Sequence, residues 1–329
     1  MDGRPALNDE TGNSTPSRRG MLALMLGACP CLAVAVSASG GTPAAEPAGP
    51  NSSAPIRVAI SESMIPGVNL NDARASMLIW IKQVESGLNF QVDISPRVFD
   101  TTAEIFRRLR AGLVDSVAVN IVEYRQIAEE LDPSEVINDS EGEENYLLLV
   151  KRGSGIRSLH DLRGRRLLML SGSRMCIANQ WLSTVLDEEH LGRPEEFFGS
   201  VMEDPKPSRV VLPVFFGQAE ACVTAKKSFD LMCELNPQVA KELFSVAASA
   251  TLVVTFYMFR KNYRGVDRDR FVHAFSNVPG TVAGKQIATL FQFNSLKVRP
   301  HSCLDPGLAL LEKADRIRAR AGGQGRAER

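Results

Sequence analysis

From Ile56 the chain runs Ile56-Arg57-Val58-Ala59-Ile60, alternating apolar and polar side chains strongly enough to predict a β-strand. Ala73, Met77, Ile81 and Val84 then recur at helical spacing within 72–84, so the chain opens as strand, loop and helix. Phe90–Ile94 reads as the next strand. Thr101-Thr102-Ala103-Glu104 has the hydroxyl-to-glutamate spacing of a capping box and opens a helix that ends near Gly112. Val114–Val119 follows as a buried strand. Strands alternating with helices imply a parallel sheet covered by helices, with loops gathered at the strand C-termini where ligands collect.

A second α/β unit follows. Tyr146–Val150 reads as a strand, Ser158–Gly164 as a short helix with a glycine stop, and Arg165–Leu170 as another strand. Ser171-Gly172-Ser173 forms a tight loop before a helix over Met175–Leu186, with Ile177, Trp181, Leu182 and Val185 on one face. The next repeat spans Ser208–Val223. Val253–Arg260 is a final apolar strand suited to carrying the chain back to the first lobe, and Asp267–Phe275 continues as helix.

Composition narrows the class of function. The 329 residues are 44% hydrophobic and 23% charged, which is globular, and the length exceeds that of a single lobe. Basic and acidic residues both number 38, so no global positive field exists to attract nucleic acid. The basic bias near the C-terminus, at Arg316, Arg318, Arg320, Arg326 and Arg329, lies among Gly and Ala and reads as a frayed tail over 316–329.

At the other end, Arg18 and Arg19 precede an apolar run from Met21 to Val36 that contains Pro30, about 16 residues and short of the roughly 20 needed to span a bilayer. The segment resembles a twin-arginine export signal over 1–38, with Val36-Ser37-Ala38 as the cleavage site and a Gly/Pro/Ala/Ser-rich linker over 39–55. The alternative is a lipoprotein box, Leu26-Gly27-Ala28-Cys29, which would leave the protein anchored through Cys29. Cleavage after Ala38 leaves Cys176, Cys222, Cys233 and Cys303 in an oxidising compartment, where Cys222 with Cys233 is the favoured one of three pairings.

Catalytic and metal-site signatures are not found. His160, His190, His273 and His301 lack the spacing of a metal site, and no nucleophile elbow, phosphate loop or dinucleotide fingerprint falls in a strand-to-helix context, so no metal, cofactor or reaction is expected. Cys176 keeps an enzymatic alternative open, because a thiol in the first turn of a helix beside Arg174 would have a lowered pKa.

Several phrases carry a family resemblance. Gly112-Leu113-Val114-Asp115 followed by Tyr124, then Ser158-Leu159-His160-Asp161-Leu162-Arg163-Gly164-Arg165-Arg166, then Gly217-Gln218-Ala219-Glu220-Ala221 occur in the order, and on the elements, seen in the substrate-binding proteins of phosphate, phosphite and phosphonate ABC transporters. The chain resembles that family over nearly all of its length after the signal. The resemblance implies a two-lobed α/β fold of the type 2 periplasmic-binding class, each lobe a mostly parallel sheet flanked by helices. Lobe 1 would comprise 56–145 plus 255–315 and lobe 2 146–254, with hinge crossings near Tyr146–Val150 and Val253–Arg260.

In that family the oxyanion sits on a Ser-Thr-Ser loop at a helix N-terminus, a place matched here by Ser171, Gly172 and Ser173. This chain departs from the pattern in following Ser173 with Arg174, Met175 and Cys176. A Ser-His pair at the next helix start corresponds to Ser208-Arg209, so two guanidinium groups would face one cleft and suit an oxyanion by forked hydrogen bonds. Glu220 matches the family's ligand-binding aspartate. Tyr124 and Asn120 complete the candidate set, Asn120 either donating to ligand or capping. The implied function is capture of a small oxyanion outside the inner membrane by a monomeric protein that hands it to an ABC permease. A sensory subunit presenting its closed form to a histidine kinase is the alternative.

Overall fold

The computed structural model describes residues 55–327 apart from 66–68, 89–91, 94–98 and most of 265–294. The first strand, β1 (Ile56–Ser61), buries both faces: Ile56, Val58 and Ile60 enter one hydrophobic cluster and Ala59 the other. It is paired along both of its edges in a sheet with a helical layer on each side. On one side α1 (Leu70–Leu88) supplies Ala73, Met77 and Ile81. β2 (Val92–Asp93), β3 (Phe99–Asp100) and β4 (Ser116–Asn120) all pair with β1 in parallel.

Between them α2 (Thr102–Arg110) starts at Thr101, whose hydroxyl accepts the Glu104 amide at 3.4 Å. It buries Ile105 and Leu109 on the second face, where α3 (Ile121–Ile127) joins it. The sheet continues with β5 (Glu135–Asp139), which leads to the first crossing strand, β6 (Glu143–Glu144).

The second sheet begins with β7 (Tyr146–Lys151), whose residues 146–150 are all buried. A short 3-10 turn, Leu159–Leu162, follows a Ser158–Asp161 capping box, and Gly164 ends it at φ 71°. Next come β8 (Arg166–Leu170), α4 (Ala178–Glu188), α5 (Pro194–Phe197), β9 (Ser200–Asp204), α6 (Pro207–Phe215), β10 (Ala221–Ala225), α7 (Lys226–Leu235), α8 (Pro237–Glu242) and β11 (Leu243–Ala248). Strand order is β11-β7-β10-β8-β9. Trp181, Leu182 and Leu186 of α4 and Val210, Val211 and Val214 of α6 join the core cluster that these strands build.

The chain returns through β12 (Leu252–Val253) into β13 (Thr255–Phe259), which lies antiparallel between β4 and β5 in the first sheet. β14 (Leu296–Pro300) forms that sheet's edge against β5, and α9 (Asp305–Ala327) closes the described chain. The two crossings pair with each other as a small antiparallel ribbon, Glu143 opposite Val253 and Glu144 opposite Leu252. The hinge therefore lies at these four residues and their neighbours. Of the crossings expected near Tyr146–Val150 and Val253–Arg260, Val253 lies in this ribbon, whereas Tyr146–Val150 and Thr255–Phe259 are body strands of the two lobes, each hydrogen-bonded on both sides. Parallel pairing holds for β1 with β2, β3 and β4 and for β8 with β9 and β10, whereas the strands next to the hinge run antiparallel.

Two further expectations are corrected. Residues 305–315, assigned to lobe 1, and the tail from 316 form the single helix α9, which packs chiefly on α4 of lobe 2. Lys313 meets Glu188 of α4, while Asp315 accepts from Arg125 of α3 at 2.7 Å, so α9 straps both lobes. Cys222 and Cys233 are not bonded. All four described cysteines are free, Cys222 being sealed between β7 and β8 at the centre of its sheet, opposite Leu149 and Leu168, while Cys233 lies on α7. The expected helix at 267–275 falls largely outside the described residues.

Candidate functional site

The C-terminal ends of β1 and β5, the starts of β13 and β14 and the loop after β8 converge on a small crevice of about 40 Å³ between the lobes. Lobe 1 contributes Ile60, Met64, Asn138, Asp139, Thr255, Tyr257 and neighbours; lobe 2 contributes Ser173 and Arg174. The lobe 2 loop reaches the crevice because Gly172 adopts φ 139°, ψ 172°, a conformation that side-chain-bearing residues avoid. Ser173 then begins a 3-10 turn, Ser173–Met175, ahead of α4.

Arg174 dominates the charge balance. Its Nη1 donates to Glu144 Oε1 at 2.7 Å and its Nη2 to Asp139 Oδ2 at 3.0 Å, so the guanidinium from lobe 2 is held by one carboxylate on the hinge and one at the end of β5. The Tyr146 hydroxyl fixes the backbone of the same residue, donating to the Arg174 carbonyl at 2.8 Å. Burial raises the pKa of Glu144 and outweighs the attraction of Arg174. The Arg174 pKa is raised as well: burial disfavours its charge, but Glu144 and Asp139 overcome that cost and keep the guanidinium charged. Burial, with Asp139 nearby, pushes the Tyr257 phenol up to about 12, so it remains a hydrogen-bond donor at any ordinary pH.

On the lobe 1 side, Asn120 is a capping residue. Its side-chain oxygen accepts from the amides of Val122 and Glu123 at 2.9 and 3.0 Å, and its amide donates to Ser63 Oγ at 2.9 Å. Glu123 completes a capping box with Asn120 N at 3.1 Å and also accepts from Ser61 Oγ at 2.5 Å and Thr102 Oγ1 at 3.0 Å. The start of α3 is thus satisfied by the chain's own carboxylate.

Of the residues singled out in the sequence, Ser173 and Arg174 are brought together in the crevice. Ser171 stands just before it, its amide bonded to the Asp204 carbonyl at 3.1 Å. Ser208 and Arg209 lie at the same end of the lobe 2 sheet but on its solvent side. Arg209 is 66% exposed with Asp204 at 3.6 Å, so the expected pair of guanidinium groups in one cleft is a single one. Tyr124 packs rather than lines: its ring meets Phe256 edge-on and its hydroxyl lies 2.7 Å from His301 Nε2.

Glu220 sits at the far end of the sheet. It precedes β10 and accepts from the Arg166 amide at 3.1 Å, about four strand residues, or roughly 13 Å, from the loop after Leu170. The motif aspartate Asp115 is likewise remote, gripped at the N-terminal end of β4 by the Arg57 fork at 2.7 and 2.8 Å. Cys176 is no activated nucleophile, since burial drives its thiol up to about 12.

Sequence reasoning missed Asn138, Asp139 and Glu144. The run Asn138-Asp139-Ser140-Glu141-Gly142-Glu143-Glu144 has the look of a solvated acidic loop, and its one signal was position: it ends a strand just where the chain must cross to the second lobe.

Residues 63–298 match the family described as "ABC transporter, phosphonate, periplasmic substrate-binding protein". The chain belongs to this family. Among solved structures, this phosphonate-binding family member is similar to a binding-protein component of an ABC phosphonate transporter from Pseudomonas aeruginosa, with 14% identity, TM-score 0.52, and coverage of 80% of this chain and 88% of that one. A Prochlorococcus marinus protein solved with methylphosphonate gives 13% identity and TM-score 0.51 over 79% of this chain and 98% of that one. A Xanthomonas citri protein solved with ATP gives 15% and 0.52 over 80% and 98%. No curated protein matches the sequence. At these identities the structural likeness carries the fold, a two-lobed type 2 periplasmic-binding architecture, and the family match carries the role of a solute-binding protein of an ABC transporter, which acts with a membrane permease. Among the described residues no helix is long and apolar enough to cross a membrane.

Proposed function

We propose that this family member is exported and captures a small oxyanion, of the phosphonate, phosphite or phosphate class, in the crevice at Ser173 and Arg174, then delivers it to an ABC permease as a monomer. The observation that carries the reading is the placement of Arg174. A guanidinium on the loop that enters the crevice from lobe 2, only 21% exposed, presents its planar fork to two carboxylates of the hinge region, the geometry with which arginine also grips an oxyanion. The paired arginines at 18–19 and the apolar run behind them support export along the twin-arginine route, with cleavage before the linker at 39–55.

Binding in this arrangement is an exchange of partners. An incoming oxyanion takes donors of Arg174 from Glu144 or Asp139, and the lobes, hinged at the β6–β12 ribbon, move apart to admit it into a crevice that holds only about 40 Å³. Glu144, already biased towards its protonated form by burial, takes up a proton when its cation is shared with a second anion. Oxyanion affinity therefore rises as pH falls.

A thermal-shift screen of the protein without residues 1–38, against methylphosphonate, phosphite, phosphate, sulfate and small carboxylates, tests the reading. A ligand present at 100 times its Kd adds about 2.7 kcal/mol of stability. An upward shift with a phosphorus oxyanion is expected, and no shift with any anion refutes the proposal.

A further inference from the structure

Asn138 is 1% exposed, lines the crevice beside Asp139, and among the described residues has a hydrogen-bond partner for neither its side-chain oxygen nor its nitrogen. A buried amide with both ends unpaired is costly and rare in folded proteins, and one that faces a binding crevice supplies a donor and an acceptor side by side. Nothing else about the residue explains its polarity. Its backbone lies in register with Lys297 of β14, and the preceding β5 residues, Val136 and Ile137, fill the two hydrophobic clusters.

The amide is also held in place. Gly142, whose backbone N–H returns to the Asp139 carbonyl at 2.8 Å, passes so close that a Cβ there would lie 2.8 Å from Asn138 Nδ2. The turn from β5 into the hinge thus closes over the amide and requires glycine at that point. Asn138 is positioned by the same few residues that carry Asp139 to Arg174.

Building on the oxyanion reading of this site, we infer that Asn138 is a specificity contact that selects an oxyanion bearing its own proton. The carboxamide N–H donates to a charged ligand oxygen while the carboxamide oxygen accepts from a ligand O–H, so both orphaned groups are satisfied at once. A phosphonate or phosphite monoanion offers that pair. A sulfonate or sulfate offers acceptors alone and leaves the amide oxygen facing a ligand lone pair, which is the arrangement a polar site rejects most strongly.

The test compares methylphosphonate and methanesulfonate by isothermal titration at pH 6, together with the melting temperature of the ligand-free protein, for wild type, Asn138→Leu and Asn138→Asp. Wild type is expected to prefer methylphosphonate by about ten-fold or more. Asn138→Leu is expected to lose that preference, chiefly through weaker methylphosphonate binding, while its ligand-free form melts higher because a buried unpaired amide has gone. Asn138→Asp, which keeps the shape but adds a charge, is expected to bind neither anion measurably, and it carries the test should the leucine variant fail to fold.

An unchanged preference in Asn138→Leu, or unchanged binding in Asn138→Asp, overturns the inference while leaving the oxyanion reading intact. A lower melting temperature in Asn138→Leu also overturns it, since the amide would then be satisfied within the fold. If wild type binds neither anion, this inference falls, and if it also binds no anion of the thermal-shift screen the oxyanion reading falls with it.

Discussion

Replacing Arg174 by alanine removes the cation that ion-pairs with Glu144 and Asp139, whose side chains are 2% and 9% exposed. Both contacts are short, 2.7 and 3.0 Å, and stripping the cation from a buried ion pair typically costs about 3–5 kcal/mol, because the partner charge is left desolvated. Arg174 is itself 21% exposed, so water can reach the gap in part and the lower figure, about 3 kcal/mol, is the better expectation. For a chain of this size that is a fall in Tm of roughly 6–12 °C.

The loss has a pH signature. The Glu144 pKa is raised in the folded protein, and removing Arg174 raises it further, so the destabilisation is present in full above that folded value and shrinks as pH falls through it. Urea denaturation followed by tryptophan fluorescence, to which Trp80 and Trp181 both contribute, reads this at pH 7.5 and again near pH 5. A deficit of about 3 kcal/mol that narrows in acid is expected. A deficit under about 0.5 kcal/mol, or one that does not change with pH, refutes the idea that this triad bears buried charge.

Four further outcomes follow from the geometry. Asp115→Ala should cost about 2 kcal/mol by freeing Arg57 and Arg260 while leaving ligand affinity within two-fold, since Asp115 is at the end of β4 away from the crevice; a large affinity loss would contradict that placement. Arg57 holds the Asp115 carboxyl below the ordinary carboxylate range, so in wild type this contribution persists down to about pH 4 and disappears as pH falls through the lowered value, which acid titration of stability will show. Arg209→Ala should leave both stability and oxyanion affinity nearly unchanged, and any loss beyond a few-fold would return Arg209 to the site. Iodoacetamide at pH 8 should modify Cys176 far more slowly in the native protein than in urea, read by mass spectrometry of the peptide, and rapid native labelling would revive the thiol as a reactive group.

What could be read from sequence was what local chemistry encodes. The period-two run at β1, the Thr101 cap of α2, the buried run of β7 and the Gly164 stop all appear where pattern placed them, because each depends on neighbours within a few residues. The loop at Ser173 was legible for the same reason: a strand, a glycine and a serine before a helix. Arg174 was expected on the loop after β8, but its partners lie 30 and 35 positions earlier and only the crossing between the lobes brings them to it.

Illegible features were those set by tertiary contact. β9 is exposed at four of its five positions and carries no alternating signal, and α9 straps two lobes through contacts with Glu188 and Arg125 that no local pattern announces. Glu220 shows how a motif misleads. Its order along the chain matched, yet it directly precedes β10 and so lies at the N-terminal end of that strand, away from the loop after Leu170. Asn138 lay hidden in an acidic stretch whose charge suggested solvent.

The central claim is that an oxyanion takes the guanidinium of Arg174 from its internal carboxylates. A crystal structure of the protein grown with methylphosphonate tests it most directly. Phosphonate density is expected between the lobes, within hydrogen-bonding distance of Arg174 and Ser173, with at least one of Asp139 and Glu144 released. Density elsewhere, or an Arg174 still closed on both carboxylates with the ligand bound, would contradict it.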